Sequence, residues 1–457
     1  MKRIVPFLFL ACTTAAVQAQ DLPGFRSSNY AGVYGVYGNP ANIADSRYNW
    51  DVSIFGINAH VGNNQVKYKL SNIGSAFGED TLKSQLFGAN SGNTRALVNA
   101  QVYLPSFMFK VKQFTFAFTS RARVMANISD LNGKLADKVT SDFTNDPDLP
   151  YTIASDDKMR VSMNGWVEYN LSAAREIIHL GPHYVKGGVT VKYMTGVGNG
   201  SLQIDNLHGT IIADEAARDA ALTNTTGKIG TNFAGISFND FEAGDLTRFV
   251  GHGIGFELGA VYEYRPGDSK DYKLRVGVSL SDIGRIKYER DVQRSGTFNI
   301  NIPANQNFYL SSLDGVSIDN YKTELNKYPQ YFTPDGNNES STYSVSLPGR
   351  LQLDADYHIK RHFFVNANGQ FSLATLKKKA FNSQYFGGLT VTPRYDGRIF
   401  GFFLPLSYNT LTKFNAGASF RVGPVFLGSG SVLTALAGSA HQADFFIGVR
   451  FGGLQRK

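Results

Sequence analysis

A period of two runs through most of this chain and constrains its fold more than any other feature. Between Phe114 and Val124 the even positions read Phe114, Phe116, Phe118, Ser120, Ala122 and Val124, and the odd positions read Thr115, Ala117, Thr119, Arg121 and Arg123. Successive side chains of a strand point to opposite faces, so this segment has one apolar face and one polar face that ends in two arginines. The same alternation returns along the chain. Val161, Met163, Val167, Tyr169 and Leu171 oppose a face with Glu168. Ile254 to Tyr264 opposes a face with Glu257 and Glu263, and Tyr272 to Leu280 opposes one with Arg275. Leu351 to Ile359 opposes Asp354 and Asp356, Phe414 to Val422 opposes Arg421, and Phe445 to Phe451 opposes Arg450. Each run has about the length a tilted strand needs to cross a hydrocarbon layer.

After the first 20 residues there is no run of about 18 uncharged apolar residues, so no transmembrane helix is expected. A chain that spans a membrane without such helices must do so as a closed barrel, because lipid offers no partner for an open strand edge. The 34 Phe and 23 Tyr suit the aromatic girdles of such a barrel. The net charge of +8 is spread along the chain without a dense Lys/Arg block, which argues against a nucleic-acid partner. Exposed apolar faces of this length make outer-membrane lipid the expected surrounding, and folding there makes the barrel-assembly machinery an expected partner.

The N-terminus is a secretory signal in three parts: Lys2 and Arg3, the apolar run from Ile4 to Ala11, and Val17-Gln18-Ala19 as the cleavage site. Residues 1–19 are therefore the expected signal peptide, 20–46 an N-terminal plug-like segment and 47–457 the barrel. Cys12 is the single cysteine, so cleavage after Ala19 leaves no thiol chemistry and no disulfide.

Barrels of the outer membrane alternate short inner turns with longer outer loops. Short links are expected near 111–113, 181–183, 266–270, 360–361, 395–397 and 423–424, and long ones at 61–97, 128–157, 206–250 and 291–348. With both ends on the inner side, the first strand at 49–60 and the last at 444–452, the wall has about 14 antiparallel strands. Asp214 to Leu222 is expected to form a short helix within the third long loop.

Before the first strand, Tyr30, Tyr34 and Tyr37 alternate with glycines and lead into Asn39-Pro40-Ala41, a turn signal. This step resembles the Asn-Pro-Ala element of the long-chain fatty acid transporter superfamily of outer-membrane barrels. Residues 279–286, Ala355-Asp356-Tyr357 and the stretch 39–45 are similar to an uncharacterised family of Bacteroidetes-type outer-membrane proteins. The resemblance implies a 14-stranded wall with an N-terminal hatch in its lumen, and passive uptake of small hydrophobic molecules. Tyr30, Tyr34, Tyr37, Asn39 and Pro40 are then the hatch candidates. Arg121, Arg123, Glu168, Glu257, Arg275, Asp354, Asp356 and Arg421 are the candidates for lining the lumen, with Asp354 and Asp356 expected to balance bases such as Arg121 and Arg123. The rival reading is a scaffold or secretion shuttle that docks another envelope protein through loops 206–250 and 291–348.

No Gly-x-Ser-x-Gly elbow and no His-Glu-x-x-His motif occurs, and the eight histidines show no tight metal-ligand cluster, since His179 and His183, though four residues apart, lie at an expected turn, so neither an enzyme nor a cofactor is expected. Mass spectrometry of the protein from purified outer membranes should find Gln20 as the first residue. A lipid-bearing Cys12 at the N-terminus would overturn the cleavage site.

Overall fold

The computed structural model describes residues 21–455 apart from 73–92, 136–148, 236–247, 268–270, 314–315, 317–319, 337–339, 374–378, 380 and 439. The expected signal peptide lies outside the described residues. In chain order the strands are β1 (Tyr48–Asn63), β2 (Asn93–Val111), β3 (Phe114–Asn132), β4 (Tyr151–Leu180), β5 (His183–Asp214), β6 (Asp219–Gly235), β7 (Gly251–Tyr264), β8 (Leu274–Glu289), β9 (Gly296–Ile302), β10 (Phe308–Tyr309), β11 (Phe332–Pro334), β12 (Thr342–Ser346), β13 (Arg350–Lys360), β14 (Phe363–Ser372), β15 (Gly388–Asp396), β16 (Phe400–Phe403), β17 (Leu406–Asn409), β18 (Lys413–Ala416), β19 (Ala418–Val422), β20 (Val425–Ser429) and β21 (Gln442–Leu454).

Neighbours pair antiparallel around a closed barrel of 14 wall strands. The wall consists of β1 to β5, β7, β8, β13 to β15, the two broken strands β16/β17 and β18/β19, then β20 and β21. The lower part of β5 pairs with β7, and β8 with β13. Pro405 has no N–H to give the ladder, which is where β16 and β17 separate. β21 returns to β1 from Tyr48↔Leu454 to Gly62↔Gln442, so the sheet has no free wall edge.

The alternation read from the sequence becomes an inside and an outside. Phe116, Leu171, Val191, Ile254, Phe256, Ile447 and Phe451 are exposed on the outer face, and Arg121, Glu168, Glu257, Arg421 and Arg450 are buried within. An apolar outer band on a closed wall is the surface of an outer-membrane β-barrel.

A tilted strand needs about 10 residues to cross the hydrocarbon, yet β4 and β5 have 30 and 32. Their outer parts rise beyond the apolar band, where β6 pairs with β5, β9 with β6, and β11 with β9. Much of 206–235 and short stretches of 291–348, expected as loops, are therefore strands of an outer extension of the wall. The helix expected at 214–222 is also corrected. Asp214 Oδ1 accepts from the N–H groups of Ala216 and Ala217 at 3.1 Å each, and Arg218 takes φ 52, which closes a hairpin between β5 and β6. Ala220 and Ala221 are fully buried by that pairing, and the burial outweighs their helical preference.

The closing seam carries a buried ion pair. Arg450 Nη1 on β21 donates to Asp51 Oδ1 on β1 at 2.5 Å, and Asp51 Oδ2 accepts from Val33 N at 2.7 Å. Arg450 also reaches the Tyr30 carbonyl and the Tyr48 hydroxyl. Arg450→Met leaves Asp51 buried without its cation, which should cost about 3–5 kcal/mol. The expected readout is a lower urea midpoint for loss of the folded gel band, largely recovered by adding Asp51→Asn.

Candidate functional site

The N-terminal residues 21–46 lie inside the barrel. Their 3₁₀ turns span Phe25–Ser27, Gly32–Tyr37 and Pro40–Ile43. Gly32 adopts φ 59 and packs where a Cβ would strike Asp51 and Arg450, so no other residue fits at this bend. All five residues expected in a hatch are placed here. Tyr34 lies edge-on to Tyr103 at 5.1 Å, and its hydroxyl meets Ser53 Oγ at 2.8 Å. Tyr37 lies under the Arg121 guanidinium at 4.5 Å, and Tyr30 under that of Arg421 at 4.8 Å. Phe25 stacks on Phe426 at 4.1 Å.

Asn39 and Pro40 make a knob against the wall. The Asn39 side chain caps its own turn by accepting from Ala41 N at 2.9 Å. Its amide then donates to the carbonyls of Ala260 (3.2 Å) and Val278 (3.0 Å), which face one another across β7 and β8. The knob fits because the wall has glycine beneath it. Any side chain at Gly188 would overlap Pro40 and Ala41, and one at Gly259 would overlap Asn39 and Pro40.

On the bilayer side of the same spot the wall is also small. A groove of about 540 Å³ lies among Ala173, Gly187, Ala260 and the exposed Ile177, Val189 and Leu258, and Gly188 and Gly259 also line it. Backbone alone separates this apolar groove from Asn39 and Pro40.

Higher in the lumen is a layer of three cations and three carboxylates. Arg121 pairs with Glu168. Arg123 Nη1 reaches Asp282 at 3.0 Å and Glu168 at 3.4 Å, and Lys192 Nζ reaches Asp282 at 2.6 Å and Glu257 at 2.5 Å. Asp354 and Asp356 do not balance Arg121 and Arg123 as expected. They lie on β13, where Asp356 takes both Nη groups of Arg394 at 2.7 and 2.6 Å and lies 3.2 Å from Arg275, while Asp354 accepts from Asn366 at 2.7 Å. Arg421 pairs instead with Asp396 at 3.4 Å.

Sequence reasoning missed Asp282, Lys192, Asp21 and Tyr385. Strict alternation from Leu280 would put Asp282 on the lipid side. A bulge in β8, with Asp282 at φ 56, turns both Ser281 and Asp282 inward. Lys192 was legible, since it alternates with Val189, Val191 and Tyr193.

A second segment also enters the lumen. Residues 381–387, between β14 and β15, fold inward. Asn127 and Gln384 exchange two bonds of 3.0 Å, and the Tyr385 hydroxyl accepts from Arg123 Nη2 at 2.6 Å. Arg350 joins the two inward segments: its Nη1 donates to Asp21 at 3.1 Å, and its guanidinium lies over the Tyr385 ring at 4.9 Å. Burial pushes the Asp21 carboxyl up, but Arg350, Arg123, Arg121 and Arg26 outweigh it and hold it below the usual range. Burial and the nearby Arg350 bring Arg26 down to about 10. Among the described residues no group of three His, Cys, Asp or Glu side chains could hold a metal ion.

A search of curated proteins found no match. Among solved structures the chain is similar to a Pseudomonas aeruginosa FadL homologue, with 12% identity, 95% of this chain and 99% of that chain covered, and a TM-score of 0.45. It is similar to the Ralstonia pickettii toluene transporter TbuX, with 12% identity, 94% and 98% coverage and a TM-score of 0.43. For the Pseudomonas putida toluene transporter TodX the identity is 8%, the coverage 96% and 98%, and the TM-score 0.37. One family model, described as Family of unknown function (DUF5723), matches residues 40–430, and the chain belongs to that family.

Proposed function

We propose that this outer-membrane barrel is a gated channel for passive uptake of small hydrophobic molecules, with residues 21–46 as its hatch. The observation that carries the reading is the apolar groove backed by the Asn39-Pro40 knob, where Gly188 and Gly259 under the knob adjoin Gly187 and Ala260 on the outer face. Its volume is in the range of small-molecule sites, about 300–1,000 Å³. Apart from Arg175 and Ser279 the lining is glycine, alanine and larger apolar side chains, which favours apolar ligands, because little that is polar has to be desolvated.

The interior speaks against an open water-filled pore. Lumen charges are matched, buried and covered by the two inward segments, so solute passage requires movement. The knob is the part most easily released. Two amide-to-carbonyl bonds contribute about 0.5–1.5 kcal/mol each, a cost that leaves a minor open state populated at equilibrium. Movement of Asn39 and Pro40 off the wall would join the groove to the interior beside Tyr34 and Tyr37.

Uptake of an apolar fluorescent probe by cells or proteoliposomes tests this directly. Gly187→Leu fills the groove from the lipid side against Ile177, a flexible neighbour, and should lower the entry rate at least tenfold while the folded yield is kept. Uptake at the unmodified rate by a folded Gly187→Leu barrel would sink the proposal. Asn39→Ala frees the knob and should act oppositely, raising entry several-fold and speeding hydrogen exchange at residues 39–44.

A further inference from the structure

The short inner turns of the wall are unequal in charge. Turns 112–113, 181–182 and 423–424 together carry one cation, Lys112. The two turns that join β13 to β14 and β15 to β16 are flanked by or contain Lys360, Arg361 and Arg398, all exposed. These two turns lie side by side: Phe363 pairs with Tyr395, and Asp396 N donates to the His362 carbonyl at 2.8 Å. Asp396 offers the three cations no charge, because it is buried in the lumen with Arg394 and Arg421 as its partners. Lys273 brings a further cation to the same corner, where its Nζ donates to the His358 carbonyl at 2.8 Å and lies 4.5 Å over the Tyr357 ring. Apolar side chains reach the turns as well. Ile399 is 69% exposed, and Ile359, Phe363 and Phe400 are exposed beside it. They extend the apolar outer band down to the turns, so the edge of the hydrocarbon lies there and the cations stand at the level of the lipid phosphates.

We infer that this corner of the inner rim binds an anionic phospholipid of the inner leaflet. Guanidinium groups suit a phosphate, whose oxygens accept from paired N–H donors, and Arg361 and Arg398 supply them on neighbouring turns. Lys360 adds a point charge beside them. The acyl chains of the same lipid lie along Ile359, Phe363 and Phe400, which the protein leaves bare. A zwitterionic lipid brings its own ammonium group among unmatched cations, which favours a head group with net negative charge. Each Lys or Arg at an anionic membrane surface contributes roughly fivefold in affinity. A soluble acidic protein would match the charge, but it would not account for an exposed isoleucine and two phenylalanines in line with the membrane-facing strands.

Native mass spectrometry of the full-length barrel released from detergent tests this with phosphatidylglycerol and phosphatidylcholine of equal chain length. Phosphatidylglycerol should bind at least tenfold more tightly. Lys360→Gln, Arg361→Asn and Arg398→Gln combined should bring that preference to threefold or less with the folded gel band kept, since all three side chains are exposed. Asparagine suits position 361, where φ is 53. Arg398→Gln alone should lower the preference several-fold. Lys112→Gln should leave it unchanged, which separates a site from a general attraction to the rim. Ile399→Ser should weaken both lipids alike. Equal binding of the two lipids by the unmodified barrel would overturn the inference, as would a preference that survives in the triple variant or falls as far in Lys112→Gln. Saturable binding of polyglutamate, tighter than that of phosphatidylglycerol, would overturn it in favour of an acidic protein partner.

Discussion

The rest of this structure depends on the pairing of β21 with β1. Hydrocarbon supplies no hydrogen-bond partner, so a sheet in the membrane is stable only when its first and last strands meet. That closure joins residues about 400 positions apart, as in Asp51 with Arg450. It also makes an enclosed interior that must be filled. The segment bearing Val33 and Tyr30 hydrogen bonds to the same two side chains that lock the seam, so closing the wall and seating the N-terminal residues are parts of one arrangement.

An enclosed polar interior raises an electrostatic problem. Charges far from water are costly unless each finds a partner. The lumen meets this by neutral pairing of Arg121, Arg123 and Lys192 with Glu168, Glu257 and Asp282, with Arg123 also over the Trp166 ring at 4.6 Å. The two inward segments are tied to this layer through Tyr385 and Arg350. The groove side is the opposite case. There the wall is thin and apolar, and the knob is held by neutral hydrogen bonds and by the packing of Pro40 and Ala41 over glycine.

Much of the wall was legible in the sequence because a bilayer imposes one rule on every strand. Alternation in Phe114 to Val124 or Ile254 to Tyr264 reports lipid on one side and polar interior on the other, whatever the partner strand is. The same rule failed at Asp282, where one extra residue in β8 reverses the faces. It also failed at 214–222, where local helical preference yielded to pairing with a neighbouring strand. The tyrosines at 30, 34 and 37 and the Asn39-Pro40 turn could be singled out because their glycine spacing is unlike that of a strand.

By itself, then, the sequence determined the class of fold, the direction each strand faces, the position of the turns at 112–113, 181–182 and 423–424, and the segment that does not belong to the wall. All of these follow from interactions between near neighbours and a uniform surrounding. Tertiary structure decided which charges neutralise one another, where the wall is thin and which segments enter the lumen. Those outcomes rest on contacts between distant residues, such as Arg123 with Asp282 across 159 positions and Asp21 with Arg350 across 329. No local pattern specifies such a pair, because it exists only once the sheet has curled round and brought its own far strands face to face.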